Sequence, residues 1–572
     1  MAWYEPSRSE PSRRSFLKQS GAVFAGLCAT HLTAASVSQD ADVVVLNANV
    51  HTVDSQMPSA AAFAVKDGRF VAIGTNDEAK AWRCKRSETI DARGMTIVPG
   101  FIDCHNHAPG EMLLYEVVVG NPYEVEFVSI ASIIEKLRAK ARQTQPGFWV
   151  EGQLYDDTKV RDKRQLNIHD LDQVSTDHPV SVTHRGGHTS FYNTKAFELA
   201  GVKKDTRDPF GGTFDRDTGG ELTGRVSDKA RDVFEKVGMR TELTPSQQAQ
   251  RYRDGQAYLS KQFVRYGLTS VHHEEGSLAG LQQIRKHGEL LHRVSYEPGR
   301  EIDDLIDAGV ETGFGDEWIR IGATAEFAID GSFSERTMAL SIPYPAVNPP
   351  YHGNITIGQN DLNAWVERVH RAGIQINCHA NGDVALEMFL TAIERSQKHY
   401  PRADARPKIT HCTLVNDDLI HRMKAVDAVP ALFTTYAYYN SDKFHFYGEQ
   451  LMQHCMAFRS LLDAGIHVAA GSDFPPGPFD PRMAIQGMVT RTGWNGETWG
   501  ANQRITVAEA LAVNTINGAY NSHEEAVKGS ISVGKLADFV VLSDDIFRVN
   551  ESKIKDVQIV RTVVGGKTVY QA

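Results

Sequence analysis

Four apolar runs along the chain each end in a polar residue able to hold a metal ion. They are Thr96-Ile97-Val98-Pro99-Gly100-Phe101-Ile102 before Asp103-Cys104-His105-Asn106-His107, Gly373-Ile374-Gln375-Ile376-Asn377-Cys378 before His379, Pro407-Lys408-Ile409-Thr410 before His411, and Gly465-Ile466-His467-Val468-Ala469-Ala470-Gly471-Ser472 before Asp473. Each reads as a strand, and helical periodicity flanks them, as over 383–396 after His379. Strand and helix in alternation imply a parallel sheet, and a chain of 572 residues closes one most economically as a TIM-type (β/α)8 barrel. Active sites of that α/β architecture lie at the C-terminal strand ends, where these polar residues fall.

A His-x-His at a strand end is a metal half-site. Alternate residues of a strand project to one side, so His105 and His107 offer two imidazoles to one ion, at Zn–N distances of about 2.0 to 2.1 Å. The plainer alternatives are a buried histidine bonded to a carbonyl for His379 and His411, and a polar turn or helix N-cap for Gly471-Ser472-Asp473.

Pro99-Gly100-Phe101-Ile102-Asp103-Cys104-His105-Asn106-His107 combines with Asp330-Gly331-Ser332, His379-Ala380-Asn381-Gly382-Asp383, Gly471-Ser472-Asp473 and Gly534-Lys535-Leu536-Ala537-Asp538. Through this combination the chain resembles the metal-dependent amidohydrolase superfamily from about residue 41 onward. Within it the resemblance is to amidohydrolase family 3, the YtcJ-like branch that includes N-substituted formamide deformylases. The resemblance implies hydrolysis of a non-peptide C–N bond, as in N-acyl or N-formyl amines, with one or two Zn2+ or other divalent ions. His105, His107, Glu326, His379, His411 and Asp473 are the implied metal ligands. Asp473 is also the implied base, taking a proton from water and returning it to the departing nitrogen, and His411 polarises the substrate in mononuclear relatives. His188, in His188-Thr189-Ser190-Phe191-Tyr192-Asn193, matches a histidine that approaches the substrate.

Two positions depart from the family pattern. Where relatives commonly carry a lysine that bridges two metals when carboxylated, this chain has Glu326, which either bridges directly, leaves a mononuclear centre, or pairs with Arg320 or Arg336. Thr410 stands where relatives often have glutamate. A cyclic amidase or deaminase is the same-class alternative, although Gly382 occupies the glutamate position of a deaminase's His-x-x-Glu. A non-catalytic binding protein on the same barrel is the third reading. Asp473 beside a set of histidines argues against it, since binding needs no base.

Short strands at 42–48, 62–66 and 70–74, the last two joined by Asp67-Gly68, have counterparts at 537–542 and 557–570. As in relatives, 41–98 and 529–572 are expected to build one small β-sandwich, and 99–114 with 263–528 the barrel. The stretch from His107 to Glu326 far exceeds three strand–helix units of about 30 residues each, so an inserted α/β domain is placed at 115–262. His272-His273-Glu274-Glu275 reads as a solvated barrel rim, with hydrogen bonds to ligands as the alternative. Tyr436, Tyr438, Tyr439, Phe444, Phe446 and Tyr447 either line a pocket or pack internally.

A net charge of −10 without a basic run argues against nucleic acid as a partner. Ser12-Arg13-Arg14-Ser15-Phe16-Leu17-Lys18, the apolar 21–29 and Ala34-Ala35-Ser36 read as a twin-arginine signal over 1–35, which implies the twin-arginine export machinery as a partner and a periplasmic or secreted protein. No other stretch reaches the roughly 18 apolar residues of a membrane span, so stable membrane insertion is not expected. A small amide substrate is the other expected partner, and a homodimer is compatible with the sequence. Beyond Cys28, the odd set Cys84, Cys104, Cys378, Cys412 and Cys455 is no disulfide framework. Cys104, Cys378 and Cys412 adjoin candidate ligands, but strand neighbours face opposite ways, which makes them buried structural thiols. Replacing Arg13 and Arg14 together with lysine should retain an active precursor in the cytoplasm, as cell fractionation would show. Normal export of that variant would refute the signal.

Overall fold

The computed structural model describes residues 40–572, so the twin-arginine reading and Cys28 lie outside the described residues. Parallel strands carry the centre. β1 (Phe101–Asn106), β2 (Leu268–Glu274), β3 (Arg293–Glu297) and β4 (Ile319–Ile321) form one parallel sheet in that order. β5 (Phe327–Ala328), β6 (Asn377–Ala380), β7 (Lys408–His411), β8 (Val429–Phe433) and β9 (Ala469–Gly471) form a second. Parallel bridges join their edges, Ala323 with Gln375 on one side and Asn106 with Phe474 on the other.

Helices alternate with these strands, among them Gln359–Arg371, Asp383–His399 and Asp417–Ala425. Every residue of β1 and β2 is buried, as parallel strands covered on both faces require. One face supplies the apolar contacts: Val271, Ile376, Cys378, Ile409 and Leu432 join helical Leu386, Phe389 and Ile393 in a single cluster. Cys104, Cys378, Cys412 and Cys455 are free, buried thiols.

The other strand face is polar. Lys408 of β7 donates to Glu297 of β3 at 2.6 and 2.7 Å, with both side chains fully buried. His272 Nδ1 lies 3.2 Å from the same carboxylate, and Asn377 donates to it at 3.3 Å. Burial opposes the Glu297 charge, but the Lys408 ammonium outweighs it and holds the carboxyl down at about 2. This ion pair ties the two parallel sheets together from within.

The N- and C-terminal parts of the described residues meet just before β1, where Phe539–Leu542 pairs antiparallel with Thr96–Pro99 in a six-stranded sheet. A four-stranded sheet of Val43–Leu46, Ala62–Lys66, Arg69–Gly74 and Glu88–Asp91 shares a core with it, in which Phe63 and Phe70 meet Phe539. The hairpin between 62–66 and 69–74 turns at Asp67 and Gly68, whose φ values of 50° and 75° match a two-residue type I′ turn. A further six-stranded sheet lies within 117–228 and has its own core around Leu137, Val150, Val182 and Phe191. From it the chain returns to β2 through the helix Pro245–Arg265, which opens on a Thr244 capping box with proline at its first turn. That helix lies tight on Gly110–Tyr115: a Cβ at Gly110 would stand 2.1 Å from the Gly255 carbonyl oxygen.

Lys408→Met should strand the Glu297 carboxylate in the interior and lower stability by about 3–5 kcal/mol, while the double change with Glu297→Leu should recover much of that loss. Urea unfolding of both variants checks this. Equal losses in the two would mean that the ion pair is not the source.

Candidate metal centre

His105, His107, His379, His411 and Asp473 lie at C-terminal strand ends or just beyond them, and Glu326 lies in the segment between β4 and β5, directly before β5. His105 is in β1 and His107 just beyond it, and Nε2 of each lies 3.1 Å from Asp473 Oδ1. Asp473, two residues past β9, takes a left-handed φ of 54°, a conformation that a non-glycine residue holds only when its surroundings enforce it. They do. Asp473 N donates to the His105 carbonyl at 2.9 Å and His107 N to the Phe474 carbonyl at 3.1 Å. Buried Asp103 completes the link, accepting from Ser472 N at 2.9 Å, Ser472 Oγ at 2.6 Å and Asn106 Nδ2 at 2.9 Å.

Glu326 stands in the middle. Its Oε2 is 3.6 Å from His105 Nε2, 3.4 Å from His379 Nδ1 and 3.3 Å from His411 Nε2, while Oε1 is 3.9 Å from His107 Nε2. The arginine alternative is not realised: Arg320 faces Glu524 at 3.5 Å and Arg336 pairs with Asp157. His379 Nδ1 and His411 Nε2 are 2.9 Å apart, and His379 Nε2 lies 3.2 Å from the Gly331 carbonyl, which orients its ring. The His411 ring stacks on Phe433 at 4.2 Å, and Phe433 on Tyr436 at 3.9 Å. Tyr436 in turn donates from its hydroxyl to Asp473 Oδ2 at 3.5 Å.

The residues fit a divalent ion. Two ligands each about 2.1 Å from a tetrahedral ion stand about 3.4 Å apart, and the contacts between ligand atoms above span 2.9 to 3.9 Å. His105, His107 and Asp473 offer donor atoms within 4.8 Å of one another, as do His105, Glu326 and His411. Buried Glu326 Oε2 and His411 Nδ1 have no hydrogen-bond partner, an arrangement that a buried polar atom otherwise avoids. Burial opposes both carboxylate charges, yet imidazoles hold both below the ordinary range: His105 and His379 act on Glu326, and His105 and His107 on Asp473. Against the burial that opposes their charges, Asp473 lifts His107 to about 8 and Glu326 lifts His379 to about 9. Burial and the neighbouring His379 push His411 down to about 3.

Burial corrects the solvated-rim reading of the His272 cluster. His272, His273 and Glu274 are 1%, 1% and 4% exposed, because β2 runs through Glu274 in register with β3, and only Glu275 reaches solvent. Glu274 Oε1 accepts from Glu326 N, and its Oε2 lies 3.7 Å from His105 Nδ1. The signal was the alternation itself, since His272 and Glu274 share a strand face as His105 and His107 do. His188 sits against the centre, its ring 4.9 Å from that of His379, with Nδ1 2.8 Å from Asp228 Oδ1. Arg185 donates to the Pro475 and Pro476 carbonyls at 2.6 and 3.0 Å, anchoring the segment after Asp473. Asp103, Asp228 and Arg185 escaped the sequence reading. Tyr436, Phe444 and Tyr447 are buried in the core, and the buried Tyr439 ring lies against Lys159 and Arg185.

His105→Ala should remove metal, since a three- or four-ligand site cannot lose an imidazole without weakening its hold. Glu326→Gln should lower the stoichiometry of a two-metal centre towards one, because an amide oxygen bridges poorly. Elemental analysis reads both, and unchanged metal in His105→Ala would remove that residue from the ligand set.

The chain is 26% identical to an N-substituted formamide deformylase of Arthrobacter pascens, covering 94% of this chain and 99% of that one. A putative amidohydrolase YtcJ of Bacillus subtilis is 27% identical, covering 91% and 98%. The structure of a metal-dependent hydrolase of Pyrococcus horikoshii superposes with a TM-score of 0.68 at 22% identity, over 89% of this chain and 99% of that one, and shares the fold. The Amidohydrolase family profile matches residues 88–570, and on that match the chain belongs to the amidohydrolase family, metal-dependent hydrolases that act on carbon–nitrogen bonds.

Proposed function

We propose that the protein hydrolyses exocyclic amides of small amines, N-acyl or N-formyl, at a centre for one or two zinc-type ions held by His105, His107, Glu326, His379, His411 and Asp473. The observation that carries this reading is Asp473: a carboxylate kept ionised inside a nest of imidazoles, 3.1 Å from two of them. The formamide deformylase name of one relative supports the substrate class. An ion in the nest supplies a Lewis acid for the carbonyl and a water acidified towards neutral pH.

The chain's own residues do the rest. The Asp473 carboxylate takes a proton from the attacking water, and as the C–N bond breaks it returns that proton to nitrogen, leaving a carboxylic acid and an amine. The Tyr436 hydroxyl and the Asp473 backbone bonds fix the carboxylate's aim. His411, neutral under its burial, polarises the carbonyl in a mononuclear form of the centre. His188, braced by Asp228, faces the substrate from the segment 115–262, which we assign as an insertion. The two bridged parallel sheets, with β4 and β5 counted as one interrupted strand, support an eight-stranded barrel over 99–114 and 263–528, and the shared core of the outer sheets supports a β-sandwich over 41–98 and 529–572. The twin-arginine motif supports a location outside the cytoplasm.

Asp473→Asn should keep most of the metal while kcat falls by roughly 10² to 10⁴, the usual worth of a positioned base. KM should change far less, because the ground-state substrate gains little from that base. Steady-state kinetics on a set of N-formyl and N-acyl amines reads this, and wild-type turnover in the variant would remove Asp473 as the base.

A further inference from the structure

The metal nest is closed on most sides. His105, His379 and His411 side chains are 1%, 3% and 3% exposed and Asp473 8%, whereas His107 is 36% exposed. A cavity of about 270 Å³ opens there, lined by His107, Glu111, Glu116, Gln256, Glu274 and Glu275 among others. Four carboxyl groups thus face one small volume, and no lysine or arginine lines it. Arg251, the cation that acts on Glu111 and Glu116, lies over the Tyr115 ring at 4.8 Å instead. His273, another lining residue, supplies no charge, since burial pushes it down to about 3.

The wall also carries hydrogen-bond acceptors with nothing to accept. Gln256 is 4% exposed, and its Nε2 donates to the Ala108 carbonyl at 2.8 Å, which fixes the amide orientation and leaves Oε1 without a partner. Glu274 Oε2 is buried and unpartnered too, but it faces His105 Nδ1 at 3.7 Å, and burial beside Glu326 raises this carboxyl well above the ordinary range. An unmet acceptor beside the carboxyl groups of Glu111, Glu116 and Glu275 calls for a ligand rich in N–H donors that is itself positive. The close Gly110–Gly255 contact holds two of the surrounding helices rigidly together.

We propose that this cavity is the subsite for the part of the substrate remote from the scissile bond, and that it takes an alkylammonium or guanidinium group. The substrate class is then the N-acyl or N-formyl derivatives of diamines and similar cations, not of amino acids, whose carboxylates Glu111, Glu116 and Glu275 repel. This rests on the amide hydrolysis proposed above.

Three formamides of matched length separate the ideas: N-formyl-1,4-diaminobutane, neutral N-formylbutylamine and anionic N-formyl-4-aminobutyrate. With metal-loaded enzyme, kcat/KM for the cation should exceed that for the neutral compound by about tenfold and that for the anion by more. Glu275→Gln and Glu111→Gln should each shrink the cation-to-neutral ratio by about threefold or more, and added salt should shrink it in the wild type. Calorimetry gives a readout independent of turnover: n-butylguanidinium should bind about tenfold tighter than its neutral isostere n-butylurea, with the gap narrowed in Glu275→Gln. Formamides hydrolysed without regard to charge, with the two isosteres bound equally, would overturn the subsite and leave amide hydrolysis standing. No formamide hydrolysed, with guanidinium still preferred, would overturn the hydrolytic reading and the substrate class while supporting the cation subsite.

Discussion

One carboxylate, that of Glu326, is held in a buried space within 4 Å of four imidazoles, and the rest of the structure serves that crowding. A charge removed from water needs a partner of opposite sign, since isolated burial costs far more than any single contact returns. In the bare protein the partners are protons, drawn onto His107 and His379 by Asp473 and Glu326. A divalent cation satisfies the same lone pairs better, because it also meets the Glu326 oxygen that no donor reaches. The nest is therefore a cation site by electrostatics before it is anything else.

Holding ligands from separate strands at such spacing requires that the strand ends not move. Asp103 does this between β1 and β9, and Arg185 does it from 290 residues away by gripping the Pro475 and Pro476 carbonyls. Deeper in, the Lys408–Glu297 pair joins the two parallel sheets, and the Phe539–Leu542 strand locks the chain end beside the entry to β1. His411, Cys412 and Asp473 all sit at positive φ, conformations that persist only in a frame rigid enough to impose them.

The ligand positions were legible because their signals are local. A period of two places His105 beside His107, and a run of apolar residues announces the strand whose end carries His379, His411 or Asp473. Glu326 was found through the resemblance alone, at the position where relatives carry a bridging lysine. What stayed hidden depends on which way a strand faces or on distant partners. No local pattern announces that Lys408, at the start of β7, lies wholly buried against a carboxylate from another sheet. Glu274 and Glu275 look alike in sequence, and the last residue of β2 is buried while its neighbour is not. Asp228 and Arg185 belong to the 117–228 region, whose folding back over the strand ends no local pattern encodes.

Anomalous diffraction at the zinc edge from crystals of the metal-loaded protein tests the central claim most directly. The account predicts density between His105, His107, Asp473 and Glu326, and, if the centre is binuclear, a second peak about 3.5–4 Å away beside His379 and His411. Anomalous density absent from this nest, or found instead at the Asp156, Asp157 and His184 group, would contradict it.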